Sequence, residues 1–211
     1  MPDTTNVVII DYGSGNIGSI VNIFRKAGVD AVLSADPDAL RQASHLVLPG
    51  VGAFDTCMRN LRASDLIGLL EERVLRDAIP LLGICVGMQM LSRGSEEGVE
   101  PGLGWIGAVT RKFAALPEKS LRIPHMGWNA VRPTRPTALF SGLESGARFY
   151  FVHSYYLVCD YADDIAGEAV YGAPFAAAIQ RGNIAGVQFH PEKSHKFGIQ
   201  LISNFVAGIR C

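Results

Sequence analysis

The chain predicts an α/β fold: a mixed, mostly parallel central sheet flanked by helices, with a smaller antiparallel sheet. Three observations carry that prediction. In the first half, runs that are apolar throughout, "NVVII", "HLVLPG" and "LLGIC", alternate with amphipathic segments, the texture of parallel strands covered on both faces. After about residue 100, strand-like runs follow one another closely, broken by turn residues. Of 211 residues, 48% are hydrophobic and only 18% charged, enough for a core that buries roughly 70–75% of the unfolded surface. No repeat, low-complexity tract or linker interrupts the chain, so residues 1–211 are expected to form a single domain.

The elements follow in order. "NVVIIDYGSGN" reads as a buried strand entering a Gly-rich turn. "IGSIVNIFRKAG" is a helix, with Ile17, Ile20, Val21 and Phe24 at helical spacing and a stop at Lys26 and Gly28. "AVLSADP" is a second strand, and "PDALRQA" a short helix opened by Pro37 behind Asp36 as N-cap. "HLVLPGVGAF" is a third strand ending in a turn. "LIGLLEERVLRDA" is an amphipathic helix, after which Pro80 introduces the strand "LLGIC" and the helix "VGMQMLS". "GLGWIGAVTRKF", "RFYFVHSYYLVCDY" and "FAAAIQRGNIAGVQFHP" predict further strands, partly antiparallel. Phe149, Phe151, Tyr155 and Tyr156 alternate as half-buried residues of one strand. "HKFGIQLISNFVAGI" closes the chain as a helix.

Composition removes several function classes. A formal net charge of −1 with scattered basic residues provides no field to recruit nucleic acid or an anionic membrane. No apolar run approaches the ~20 residues of a membrane span. The first residues lack a basic segment followed by a long apolar stretch, so no secretion signal is expected. Cys57, Cys85, Cys159 and Cys211 form no CxxC pair and no Cys/His zinc spacing, which predicts a cytoplasmic protein with reduced thiols and no metal. No P-loop or dinucleotide fingerprint is present, so no cofactor is expected.

Chemistry concentrates at predicted strand ends, where α/β folds collect ligands. Gly83-Ile84-Cys85-Val86-Gly87 is the cysteine version of the nucleophile elbow. Its glycines permit a sharp turn, and the helix N-terminus beyond it favours the thiolate. A small core cysteine would fit the same pattern about as well. A thiol nucleophile needs a base and an orienter. His190 in "QFHPEKS" directly follows an apolar strand, and Glu192 two residues on lies on the same side of extended chain. On spacing alone, a solvated turn with Glu192-Lys193 as a surface ion pair is the better reading, as is a plain tight turn for "PGVG"; Trp128 fits a core tryptophan as well as an interface anchor.

Taken together, "GICVGMQML" and "QFHPEKS" resemble the nucleophile and base motifs of the class I glutamine amidotransferases, a flavodoxin-like family with a Cys-His-Glu triad. "DYGSGN", "LPGVGAF", "HMGWN" and "FYFVHSYY" extend the likeness from residue 9 to residue 206. They narrow it to the glutaminase subunits that serve imidazole glycerol phosphate synthases. The resemblance implies that Cys85 attacks the side-chain amide of L-glutamine, His190 shuttles the proton and Glu192 orients His190. It implies an oxyanion site from Gly50, Val51 and the N–H of Val86, with the Gly50–Val51 peptide able to rest flipped and inactive. Gly52, Gln89, Ser154 and Tyr155 are implied to bind glutamine. The implied partner is a (β/α)8-barrel cyclase subunit in a heterodimer, met by Asn16, Met126, Trp128 and Lys193. Two positions depart from the family pattern: Gly18 where a longer polar residue is common, and Val86 where leucine is usual. A glutaminase serving another synthase and a non-catalytic regulatory paralogue are the competing readings.

Overall fold

The computed structural model describes residues 5–15, 17–114, 121–143 and 146–209. Four strands of the first half, β1 (Val7–Ile10), β2 (Ala31–Ser34), β3 (His45–Gly50) and β4 (Leu81–Cys85), lie parallel with β12 (Ile184–Val187) in the order β2-β1-β3-β4-β12. This is the flavodoxin-like arrangement, whose ligand crevice lies at the carboxyl ends of its strands. β1, β3, β4 and β12 are almost wholly buried, as runs without polar alternation require.

Antiparallel strands β11 (Ala173–Arg181), β10 (Ile165–Tyr171) and β7 (Arg132–Pro133) extend the sheet beyond β12. β9 (Tyr155–Cys159) pairs with β11 and with β5 (Ala108–Lys112). A separate two-stranded sheet joins β6 (His125–Ala130) to β8 (Arg148–His153), antiparallel. The segment read as one strand, "RFYFVHSYYLVCDY", is therefore two, broken at Ser154 and shared between two sheets. In consequence Phe149 and Phe151 are wholly buried, not half-buried.

Helices α1 (Gly18–Lys26) and α2 (Pro37–Gln42) stand where the periodicity puts them, and the Asp36 carboxylate accepts from the Asp38 N–H at 3.0 Å as its N-cap. The predicted helix over 66–78 is α4 (Ile67–Glu71), continued through Glu72–Arg76 by a wider π turn. α5 (Val86–Met90) and α6 (His195–Gly208) complete the set. One helix has no counterpart in the sequence reading: α3 (Phe54–Ala63). Its N-cap, Ala53, offers no side-chain acceptor. Instead Glu97, distant in sequence, accepts the Phe54 N–H at 2.8 Å, and Asp55 in turn accepts from Val99 and Glu100. A cap supplied by tertiary structure leaves no local signature.

Candidate active site

Cys85 ends β4 and begins the turn into α5 with φ 55° and ψ −113°, a left-handed conformation that costs a non-glycine residue energy. The turn is possible because its neighbours carry no Cβ. A Cβ on Gly50 would stand 2.2 Å from the Gly87 nitrogen, and one on Gly87 would stand 2.0 Å from the Leu48 carbonyl oxygen. The ends of β3 and β4 thus meet backbone to backbone, which brings "PGVG" beside the cysteine corner. As the first residue of α5, Val86 has an N–H without a partner inside the helix.

His190 leaves β12's far end, and its Nδ1–H donates to Glu192 Oε1 at 2.7 Å. Pro191 starts a short 3-10 turn there. The Ser194 hydroxyl donates to the His190 carbonyl at 2.6 Å and accepts from the Tyr150 N–H at 3.0 Å, pinning the turn to β8. Burial pulls the His190 pKa down, but contact with the Cys85 sulfur and the Glu192 carboxylate outweighs it and holds the value at about 10. His190 Nε2 and Glu192 Oε2 are buried and, among the described residues, without hydrogen-bond partners. The imidazole is thus close enough to the sulfur to feel its charge but makes no well-formed hydrogen bond to it, a looseness common before substrate arrives.

A cavity of about 370 Å³ opens over these groups. Of the sequence-predicted residues it gathers Cys85, His190, Val51, Gly52, Val86, Gln89, Ser154, Tyr155 and Lys193. Glu192 sits behind His190, and Gly50 against the backbone of Val86 and Gly87. Met126 and Trp128 lie elsewhere, facing outward on β6 with 62% and 40% of their surface exposed. Trp128 is therefore no core residue; its ring stacks on His195 at 5.4 Å. Asn16 lies outside the described residues.

Several site residues escaped the sequence reading. Glu97 and His153 also line the cavity. Tyr12 and Ser14, from "DYGSGN", hold the "PGVG" strand: the Tyr12 hydroxyl donates to the Pro49 carbonyl, and Ser14 Oγ accepts the Val51 N–H at 3.3 Å. Gln188, two residues before His190, reaches the sulfur. Only its place on the same side of the chain as His190 could have flagged it. Among the described residues no helix is long and apolar enough to cross a membrane.

The glutamine amidotransferase class-I family model matches residues 8–209. The chain is 49% identical over 200 residues to the imidazole glycerol phosphate synthase subunit HisH 2 of Pseudomonas aeruginosa, covering 95% of this chain and 98% of that one. It is 48% identical, over the same shares, to the subunit of the same name from Methanococcus maripaludis. Two solved structures, both from Thermotoga maritima, share the fold at low identity. One is PurLQS, with TM-score 0.73, 14% identity, and 96% of this chain and 97% of that one covered. The other is a glutamine amidotransferase, with TM-score 0.63, 20% identity, and 90% and 76% covered. By the span of the family match and the identity to the HisH relatives, the chain belongs to the class I glutamine amidotransferases.

Proposed function

We propose that the chain is the glutaminase subunit of an imidazole glycerol phosphate synthase, working as one unit over residues 1–211 in cytoplasmic L-histidine biosynthesis. The observation that carries the reading is the Cys85–His190–Glu192 arrangement, in a chain nearly half identical over almost its whole length to subunits of that synthase. Cys85 as thiolate attacks the side-chain carbonyl carbon of L-glutamine. The imidazolium of His190 gives its proton to the departing nitrogen, and ammonia leaves a γ-glutamyl thioester on sulfur. His190 then takes a proton from water, which attacks the thioester and releases glutamate and the thiolate. Glu192 holds the tautomer throughout.

Around this chemistry, the Val86 N–H faces the developing oxyanion, and the Gly50–Val51 peptide supplies the second donor once it turns. A lost donor costs on the order of 10²–10³ in rate. Gln89 binds substrate as an acceptor only, because its side-chain nitrogen is already committed to the Tyr155 carbonyl and to Gln188. Gly52 and the backbone of Ser154 and Tyr155 complete the glutamine pocket.

Ammonia in open water becomes ammonium and loses its nucleophilicity, so a docked acceptor must receive it dry. We assign that role to a (β/α)8-barrel cyclase subunit in a heterodimer, with Met126, Trp128, Lys193 and Asn16 at the contact. Glutamate release by the chain alone, with the cyclase, and with the cyclase plus its nucleotide substrate tests the reading. The expected result is almost nothing alone and a large rise only in the complete mixture, abolished by Cys85→Ala. High activity without a partner, or silence in the complete mixture, overturns it.

A further inference from the structure

Gln188 is wholly buried in the segment between β12 and His190. Its Nε2 lies 3.7 Å from Cys85 Sγ, and its Oε1 accepts from Gln89 Nε2 at 2.9 Å. The orientation of both amides follows from one backbone group. The Tyr155 carbonyl can only accept, so Gln89, 3.2 Å away, must turn its NH2 toward it. The second hydrogen of that NH2 then meets Gln188, which must present its oxygen, leaving the Gln188 NH2 for the sulfur. The same carbonyl takes the Nδ1–H of His153 at 2.7 Å, and His153 Nε2 in turn accepts from His125 Nδ1 at 3.0 Å. Turning Gln89 would therefore place oxygen against oxygen, and turning Gln188 would set its NH2 against that of Gln89 and its oxygen against the sulfur.

We propose that Gln188 is an amide donor to the nucleophile, holding the Cys85 sulfur in place and stabilising its thiolate from the side away from any acyl group it receives. This deepens the reading of Cys85 as nucleophile and rests on it. A hydrogen bond to the charged form favours that form, and the effect is large in a buried site where water cannot substitute for the donor. Sulfur in a thioester is a weak acceptor, so the contact acts on the resting thiolate and is relinquished as the acyl bond forms.

The test needs neither glutamine turnover nor a partner. The rate of Cys85 modification by methyl methanethiosulfonate is followed by peptide mass from pH 4 to 10 in the parent chain, Gln188→Met and Gln188→Glu, with Cys159 as internal reference. Loss of one hydrogen bond to a charged group moves the Cys85 profile up by about one pH unit. A more basic thiolate is also more nucleophilic, so Gln188→Met reacts more slowly below the midpoint and about threefold faster above it. Gln188→Glu keeps the acceptor for Gln89 but sets a carboxylate against sulfur, and moves the profile further; it decides alone if the methionine chain does not fold. Cys85 profiles that superimpose on the parent overturn the role of Gln188. A parent Cys85 that reacts no faster than Cys159 overturns the nucleophile reading instead.

Discussion

The backbone N–H of Val51 is turned to the hydroxyl of Ser14, 3.3 Å away, while the Val51 carbonyl accepts from Cys57 Sγ at 3.5 Å. Val51 lines the cavity over Cys85, yet its donor is spent on the first βα loop. On the mechanism proposed above, this conformation leaves the oxyanion only one of its two donors, the Val86 N–H. The "DYGSGN" and "PGVG" segments are thus joined, and in the proposed mechanism the loop hydroxyl of Ser14 holds the Gly50–Val51 peptide away from the oxyanion. Gly52, at φ +97°, gives the strand the freedom to turn.

Ser14→Ala removes the acceptor that holds this state. A hydrogen bond of about 1 kcal/mol is worth roughly a fivefold population change. Unstimulated glutamate release is therefore expected to rise about fivefold, with the fully stimulated rate little altered. The ratio of the two rates is the readout, and an unchanged ratio removes Ser14 from that role.

The His190–Glu192 pair predicts a specific pH dependence. The His190 pKa stands at about 10, burial pulling it down and the Cys85 sulfur and Glu192 carboxylate together raising it. It therefore lies above the unfolded value of about 6.5. Protonated His190 contributes stability that is complete below about pH 6.5 and is lost as pH rises through about 10. In Glu192→Gln one of the two raising contacts is gone. The alkaline fall in melting temperature should then begin at lower pH, and glutaminase turnover should drop by about 10⁴. Melting curves that keep the parent's pH dependence would show that the carboxylate does not hold the proton on His190.

The buried pair His125 and His153 has the opposite sign. Burial lowers His125 to about 4; burial, with lesser effects from His125 and His190, lowers His153 to about 3 despite the Tyr155 carbonyl. Both rings are neutral at pH 7. Because the unfolded chain binds protons at about 6.5, stability falls as pH drops below that value, by on the order of 2 kcal/mol from each ring at pH 4.5. Urea unfolding at pH 7 and 4.5 should show this loss, and His125→Asn should be less stable at pH 7 but flatter between the two. Equal slopes for the two proteins would mean that other groups carry the acid limb.

Much of this arrangement was legible in the residues themselves. Unbroken apolar strands specify a parallel core because alternation is the signature of a face in water, and this core has none. The elbow glycines and the His-x-Glu spacing set a cysteine, a histidine and a carboxylate at strand ends, but each pattern alone also fits a purely structural role. The likeness of the motifs to the family is what suggests a nucleophile and its base. What the sequence could not supply are the contacts between residues far apart in the chain. The Glu97 cap on α3, the Ser14 hold on Val51 and the Gln188 amide at the sulfur join positions 37 to 103 residues apart. The break at Ser154 that sends β8 and β9 into different sheets likewise depends on the partners waiting for each strand. Local pattern determined most of the elements, α3 excepted, and the corner that carries the thiol; only tertiary packing decided which hydrogen-bonding groups meet there, because each such meeting depends on the path of the whole chain between them.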